Sequence, residues 1–190
     1  MTKGRLEAFS DGVLAIVITI MVLEFKVPHG ADFAALAPLL PKGLSYLLSF
    51  VFVGIYWNNH HHLFQAVHKV RGGILWANLH LLFWLTLVPF ATAWMGDYFA
   101  PVPVALYGVV LLGAAIGYTI LVRLLIKHHA PDSALAKAIG SDAKGLVSLA
   151  CYVSAIPLAF VQPAVSCGLY VVVAIIWLAP DRRIERVLED

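Results

Sequence analysis

From Ile74 to Met95 the chain carries no Asp, Glu, Lys or Arg. A helix over that run, rising about 1.5 Å per residue, crosses about 30 Å of hydrocarbon while satisfying its own backbone groups. The run belongs to a series. Apolar segments at 6–26, 43–65, 72–95, 101–127, 143–162 and 164–180 all approach that length. They are separated by turn signals at Pro28-His29-Gly30, Gly72-Gly73, Pro101-Val102-Pro103 and Ala130-Pro131-Asp132. The last two segments meet at Gln162-Pro163, which reads either as a tight helical hairpin or as a kink in one longer buried pair. Of 190 residues 61% are hydrophobic and 13% charged, about half the charged share of a soluble domain. The fold class expected is an all-α integral membrane protein: one transmembrane domain over 1–190, six helices, no appended soluble domain. Lys3 and Arg5 imitate the start of a signal peptide, but no small-x-small site follows before Pro28, so the first helix is expected to stay.

Positive residues set the orientation. With the N-terminus inside, Lys3, Arg5, Lys69, Arg71, Arg123, Lys127, Lys137, Lys144, Arg182, Arg183 and Arg186 are all cytoplasmic. Only Lys26 and Lys42 fall outside. That split requires an even number of spans, hence both termini inside. The net charge of +2 is spread between apolar runs and offers no nucleic-acid surface. Cys151 and Cys167 sit in apolar stretches as small packing residues.

Polar groups at membrane depth are the informative ones, because protein or water must satisfy each of them. The first helix opens Arg5-Leu6-Glu7-Ala8-Phe9-Ser10-Asp11, which puts Asp11 about two turns in. One reading is an acid favoured by the helix N-terminal dipole, with Ser10 bonding locally. The other turns Ser10 and Asp11 inward, towards neighbouring helices. Partners stand at the same depth: Trp57, Asn58, Asn59, His60, His61 and His62 close the second segment, and Trp76, Asn78 and His80 open the third. A His or Trp ring N–H could donate to the Asp11 carboxylate. Consecutive histidines point about 100° apart on a helix and cannot all bind one ion, and HExxH and CxxC are absent, so neither a metal nor a cofactor is expected.

Further along the first helix, Ile16, Ile20 and Leu23 share a stripe with Thr19 beside it. Such a stripe is ordinarily packing. Repeated around a symmetry axis, it would form a narrow apolar constriction able to gate or filter ions. The Thr-Val-Gly-Tyr-Gly carbonyl filter is absent, and six helices are few for a pore within one chain, so a pore would need an oligomer. Gly113 and Gly117 have the Gly-x-x-x-Gly spacing that permits close helix contact.

These residues resemble the transmembrane-protein-175 family of potassium channels, in its short, single-repeat prokaryotic form. The resemblance rests on Arg5 with Phe9-Ser10-Asp11; on Trp57, His60-His61 and Phe64; and on Asn78-Leu79, Leu82 and Pro89-Phe90. It covers the first half of the chain; the second half agrees in hydropathy and helix count. It implies a six-helix protomer and a homotetramer in a prokaryotic cell membrane, with the first helices around a central potassium pore. Carried over residue by residue, it makes Ile16 the narrowest ring, Ile20 and Leu23 outer rings, and Thr19 a polar layer. Arg5, Phe9, Ser10, Asp11, Trp57, His60, His61, Trp76 and Asn78 would hold the pore helix and set assembly or gating. Potassium preference would come from dehydration at the apolar ring. Here His62 extends the family's two histidines to three, so the histidine that packs against Asp11 stays open.

The function expected is therefore passive conduction of potassium, with lipid and further copies of the chain as partners. The alternative is a proton-coupled transporter using Asp11 and a His, though no acid lies at mid-depth. An enzyme is not expected, since no nucleophile elbow or metal spacing is present. A purely structural membrane subunit is the remaining reading.

Overall fold

The computed structural model describes residues 2–65, 67, 70–128 and 143–178. Lys69, Lys137, Arg182, Arg183 and Arg186, which contribute to the orientation argument, lie outside the described residues, as do the break at 130–132 and the charged tail. The described residues are all helical or connecting: α1 Lys3–Leu23, a 3-10 turn Phe33–Leu39, α2 Leu40–Gln65, α3 Gly72–Thr86, α4 Val88–Asp97, α5 Pro101–His128, α6 Ala143–Leu158 and α7 Pro163–Leu178. Among the described residues, four stretches are long and apolar enough to cross a membrane: Lys3–Leu23, Phe33–Gln65, Gly72–Asp97 and Pro101–Lys127. The two 16-residue helices α6 and α7 reach about 24 Å each.

The third apolar segment is one span made of two helices. Pro89 lacks the N–H that would continue the α3 ladder, and its ring crowds the preceding turn. The chain bends at Leu87, whose N–H reaches back to Trp84 O at 3.2 Å, and α4 restarts with Pro89 in its first turn. At Gln162-Pro163 the structure forms a tight hairpin. Gln162 N–H donates to Leu158 O at 2.8 Å, and Ser166 Oγ in α7 donates to Ala155 O in α6 at 2.7 Å.

Side-chain bonds identify the two ends of the bundle. At one, Lys3 of α1 reaches Gln65 O at the end of α2, Tyr118 of α5 reaches Asn59 O, and Trp177 of α7 donates to Ser148 Oγ of α6 at 2.8 Å. At the other, Lys42 in the first turn of α2 lies 2.7 Å from Asp97 Oδ1 and donates to Glu24 O, just past α1, at 3.1 Å. Successive spans thus run up and down, as the charge distribution requires. Lys42 is buried, yet it ties together the ends of α1, α2 and α4.

The core draws buried side chains from every helix, and its middle lies where α2, α4, α5 and α7 meet. At its centre Ser49 Oγ meets Thr92 Oγ1 at 2.6 Å and Tyr107 Oη at 2.9 Å, while Tyr170 Oη donates to Val104 O at 3.1 Å. These buried hydroxyls satisfy one another inside an apolar shell, as groups at membrane depth must. Gly113 and Gly117 face α3 of the same chain. A methyl at Gly113 would fall inside the Trp84 indole, and one at Gly117 would stand 3.0 Å from Leu81 Cα. The Gly-x-x-x-Gly spacing thus serves packing within the protomer. Gly113→Ala is expected to destabilise the fold by about 1–3 kcal/mol through overpacking. Gly54→Ala, whose methyl meets nothing within 4 Å, should be neutral or gain helix propensity. Thermal unfolding in detergent compares the two, and equal melting temperatures would refute the close α3–α5 approach.

Candidate functional site

Helix α1 packs on α2, α3 and α4 and stands at the rim of the bundle. Its buried residues, Leu6, Ser10, Leu14, Val17 and Met21, recur every three or four positions and form a single seam. Val13 and Ile18 flank that seam half-buried, and much of the remaining circumference is open. Ile16 is 58% exposed, Ile20 42% and Leu23 77%. Part of this open side borders a groove of ≈ 1320 Å³ whose walls are Val13, Ile16 and Ile20 on α1 and Phe90, Ala93 and Trp94 on α4. Thr19 Oγ1 donates to Ala15 O at 2.9 Å and Ile16 O at 3.0 Å. Its proton is thus used within the helix, and its oxygen remains available as an acceptor on the exposed side.

The inner end of α1 is fixed by a directed chain of three hydrogen bonds. His60 of α2 and Asn78 of α3 meet through Nε2 and Oδ1 at 2.8 Å. Asn78 Nδ2 donates to Ser10 Oγ at 2.9 Å, and Ser10 Oγ donates to Leu6 O at 2.9 Å. Since Asn78 uses its amide nitrogen towards Ser10, its oxygen faces His60, and the His60 proton must sit on Nε2. All three side chains are buried, and each donor in the chain finds an acceptor. The result is a polar joint across α1, α2 and α3, with no formal charge required.

Asp11 lies outside this joint. Its carboxylate is exposed and accepts from Trp57 Nε1 at 3.1 Å. No histidine takes that place: His60 is committed to Asn78, while His61 bonds Gln65 Nε2 at 2.8 Å and stacks on Trp57 with ring centres 6.2 Å apart. Of the two expectations for the pair, Ser10 points inward and Asp11 sits at the margin. Arg5 and Phe9 lie on the open side of α1, and Trp76 on the outer face of α3 at 75% exposure, apart from the joint. Sequence reasoning missed the Lys42–Asp97 clasp and the Ser49–Thr92–Tyr107 cluster. Lys42 was legible as one of only two outer cations; the hydroxyl cluster had no signal beyond Ser and Thr in apolar helices. Among the described residues, no three His, Cys, Asp or Glu side chains gather as metal ligands.

An all-α, multi-pass membrane protein with one helix fixed by a buried polar joint and half uncovered is the class these features define. The family model for the endosomal/lysosomal potassium channel TMEM175 matches residues 5–89. A potassium channel of Chryseobacterium sp. is 58% identical over 191 residues, 100% of each chain. A potassium channel of Streptomyces collinus is 37% identical over 125 residues, 61% of each chain. The crystal structure of a lysosomal potassium-selective channel TMEM175 homolog from Chamaesiphon minutus superposes with a TM-score of 0.81 at 34% identity, covering 94% of this chain and 97% of that one. The chain belongs to the TMEM175 family.

Proposed function

We propose that the chain is a potassium-permeable channel of a prokaryotic cell membrane. It works as a homotetramer, with both termini in the cytoplasm and the open sides of four α1 helices around a central pore. The reading is supported by a relative named as a potassium channel over the full chain and by a potassium-selective homolog over 94% of it, and it is carried by one observation. Helix α1 leaves Ile16, Ile20 and Leu23 exposed in the protomer, while its opposite face is sealed by the buried seam and the Ser10–Asn78–His60 joint.

In that arrangement Ile16 forms the narrowest ring, Thr19 offers four outward acceptor oxygens just beyond it, and Ile20 and Leu23 continue the apolar lining outward. A ring of isoleucines supplies no oxygen to replace ion hydration, so an ion passes by giving up water. Sodium, the smaller ion, holds its water more strongly and meets the higher barrier. Arg5, Phe9, Asp11, Trp57, His61 and Trp76 cluster at the inner end on exposed faces and serve assembly or gating, not the filter.

The test is flux through the purified protein in liposomes, first with a potassium gradient and then with a matched sodium gradient. Rapid electrogenic flux without substrate or proton gradient, larger for potassium, is expected. Flux that appears only with coupled proton movement would replace the channel with a transporter. That alternative is not favoured: the relatives are named as potassium channels, and within the protomer Asp11 accepts from Trp57.

A further inference from the structure

A second groove runs along the opposite flank of α2, away from α1. On α2, Leu40, Leu44, Leu47, Leu48 and Val51 follow a three-and-four spacing; on α7, Cys167, Val171, Ala174, Ile175 and Leu178 repeat it. The two helices run side by side in the same direction, yet their stripes do not close on each other. Buried Ala174 and Met95 make a low floor, and exposed Leu44, Leu47, Val171 and Ile175 make the walls of a cleft of ≈ 1380 Å³. The α7 stripe, from residue 167 to 178, is about 16 Å long, roughly half the hydrocarbon thickness.

Pro41 and Phe99 of the cleft also line a neighbouring, more polar pocket that holds Lys26, Lys42, Gly96 and Asp97. Two cations and one carboxylate line it. Lys42 is neutralised by Asp97 at 2.7 Å, and Lys26 has no carboxylate within ion-pair distance among the described residues. The pocket therefore carries an uncompensated positive charge. Val27, Phe33 and Leu36, in the α1–α2 connection, are exposed apolar side chains at 86, 92 and 50%. In a bilayer they belong at the boundary between acyl chains and headgroups, which puts adjacent Lys26 at phosphate level.

We propose that this cleft and pocket form a binding site for one anionic phospholipid of the outer leaflet, its acyl chain between the α2 and α7 stripes and its phosphate on Lys26. An anionic headgroup is preferred to a zwitterionic one because the nearby carboxylate is already paired with Lys42, which leaves no free acid in the pocket for an amine. The site rests on the outward placement of the Lys26–Lys42 end and does not depend on conduction.

Native mass spectrometry of the protein purified from vesicles of equal phosphatidylglycerol and phosphatidylcholine tests it. One retained phosphatidylglycerol per protomer is expected. Lys26→Glu should reduce its preference over phosphatidylcholine by about tenfold, the scale of one charge-assisted contact. Val171→Trp, which fills the cleft from an exposed wall, should abolish retention of both lipids with the fold intact by circular dichroism. Equal retention in all three proteins would overturn the proposal in favour of bulk annular lipid. Displacement by inorganic phosphate alone would overturn the acyl-chain half of the site, and a Val171→Trp protein that loses its oligomeric state would assign the cleft to a second copy instead.

Discussion

Asn78→Ala should destabilise the folded protomer by about 1–3 kcal/mol, the cost of leaving a buried donor unsatisfied. Asn78 is the middle member of the joint, accepting from His60 and donating to Ser10. Its removal strands the His60 ring N–H in a site only 3% exposed, whereas Ser10 keeps its bond to Leu6 O. The loss is therefore chiefly that of one orphaned donor. Membrane hydrogen bonds measured singly average less, about 0.6 kcal/mol, because the separated helices find other partners; this donor is enclosed by its own protein and is not released to find one. Asn78→Leu combined with His60→Phe removes both polar partners and replaces them with apolar groups, so the pair should recover most of the stability lost by Asn78→Leu alone. Equilibrium unfolding in mixed detergent micelles measures the cycle, and simple additivity of the two changes would mean that the joint is not coupled. Asp11→Ala provides the contrast. The Asp11–Trp57 bond is exposed in the protomer, so its loss should cost the protomer under about 1 kcal/mol and appear instead as a loss of the proposed tetramer on size-exclusion chromatography.

The contrast between Ser10 and Asp11 shows where sequence reasoning holds and where it stops. That both needed partners at the inner end follows from their depth in an apolar helix, and the available residues could be named from the segment order alone. Which residue served which depends on rotation about helix axes, and consecutive residues differ by about 100° there. The buried seam through Leu6, Ser10, Leu14, Val17 and Met21 turns Ser10 in and Asp11 out, and it leaves Trp57, not a histidine, beside the carboxylate. The Gly113–Gly117 spacing carried the same ambiguity: it announced a close helix contact but not whether the partner belonged to this chain or another. The bend at Leu87 was not read from the sequence, which implied one helix over 74–95, although Pro89 inside that run was the signal for it. The Ser49–Thr92–Tyr107 cluster was not legible, since each hydroxyl is commonplace in its own helix and only the fold brings the three together.

Ile16→Asn should collapse the potassium preference of the channel. If Ile16 forms the narrowest ring, the barrier there is set by the water an ion must shed where the wall offers nothing in exchange. Four amide side chains would supply oxygens and hold water in the constriction, lowering the barrier for both ions and most for sodium, which has more hydration energy to lose. A barrier lower by about 1.4 kcal/mol raises a rate about tenfold, so even partial rehydration should bring the sodium flux close to that of potassium. Ile16→Ala separates width from polarity: it opens the ring but keeps it apolar, so total flux should rise while some preference remains. The fold should tolerate both changes, because Ile16 is already 58% exposed in the protomer and takes no part in the buried α1 seam. Reversal potentials under bi-ionic potassium and sodium provide the measurement. An unchanged permeability ratio in Ile16→Asn, with tetramers intact, would move the filter away from Ile16, to Thr19 or the rings at Ile20 and Leu23 on the same open side of α1.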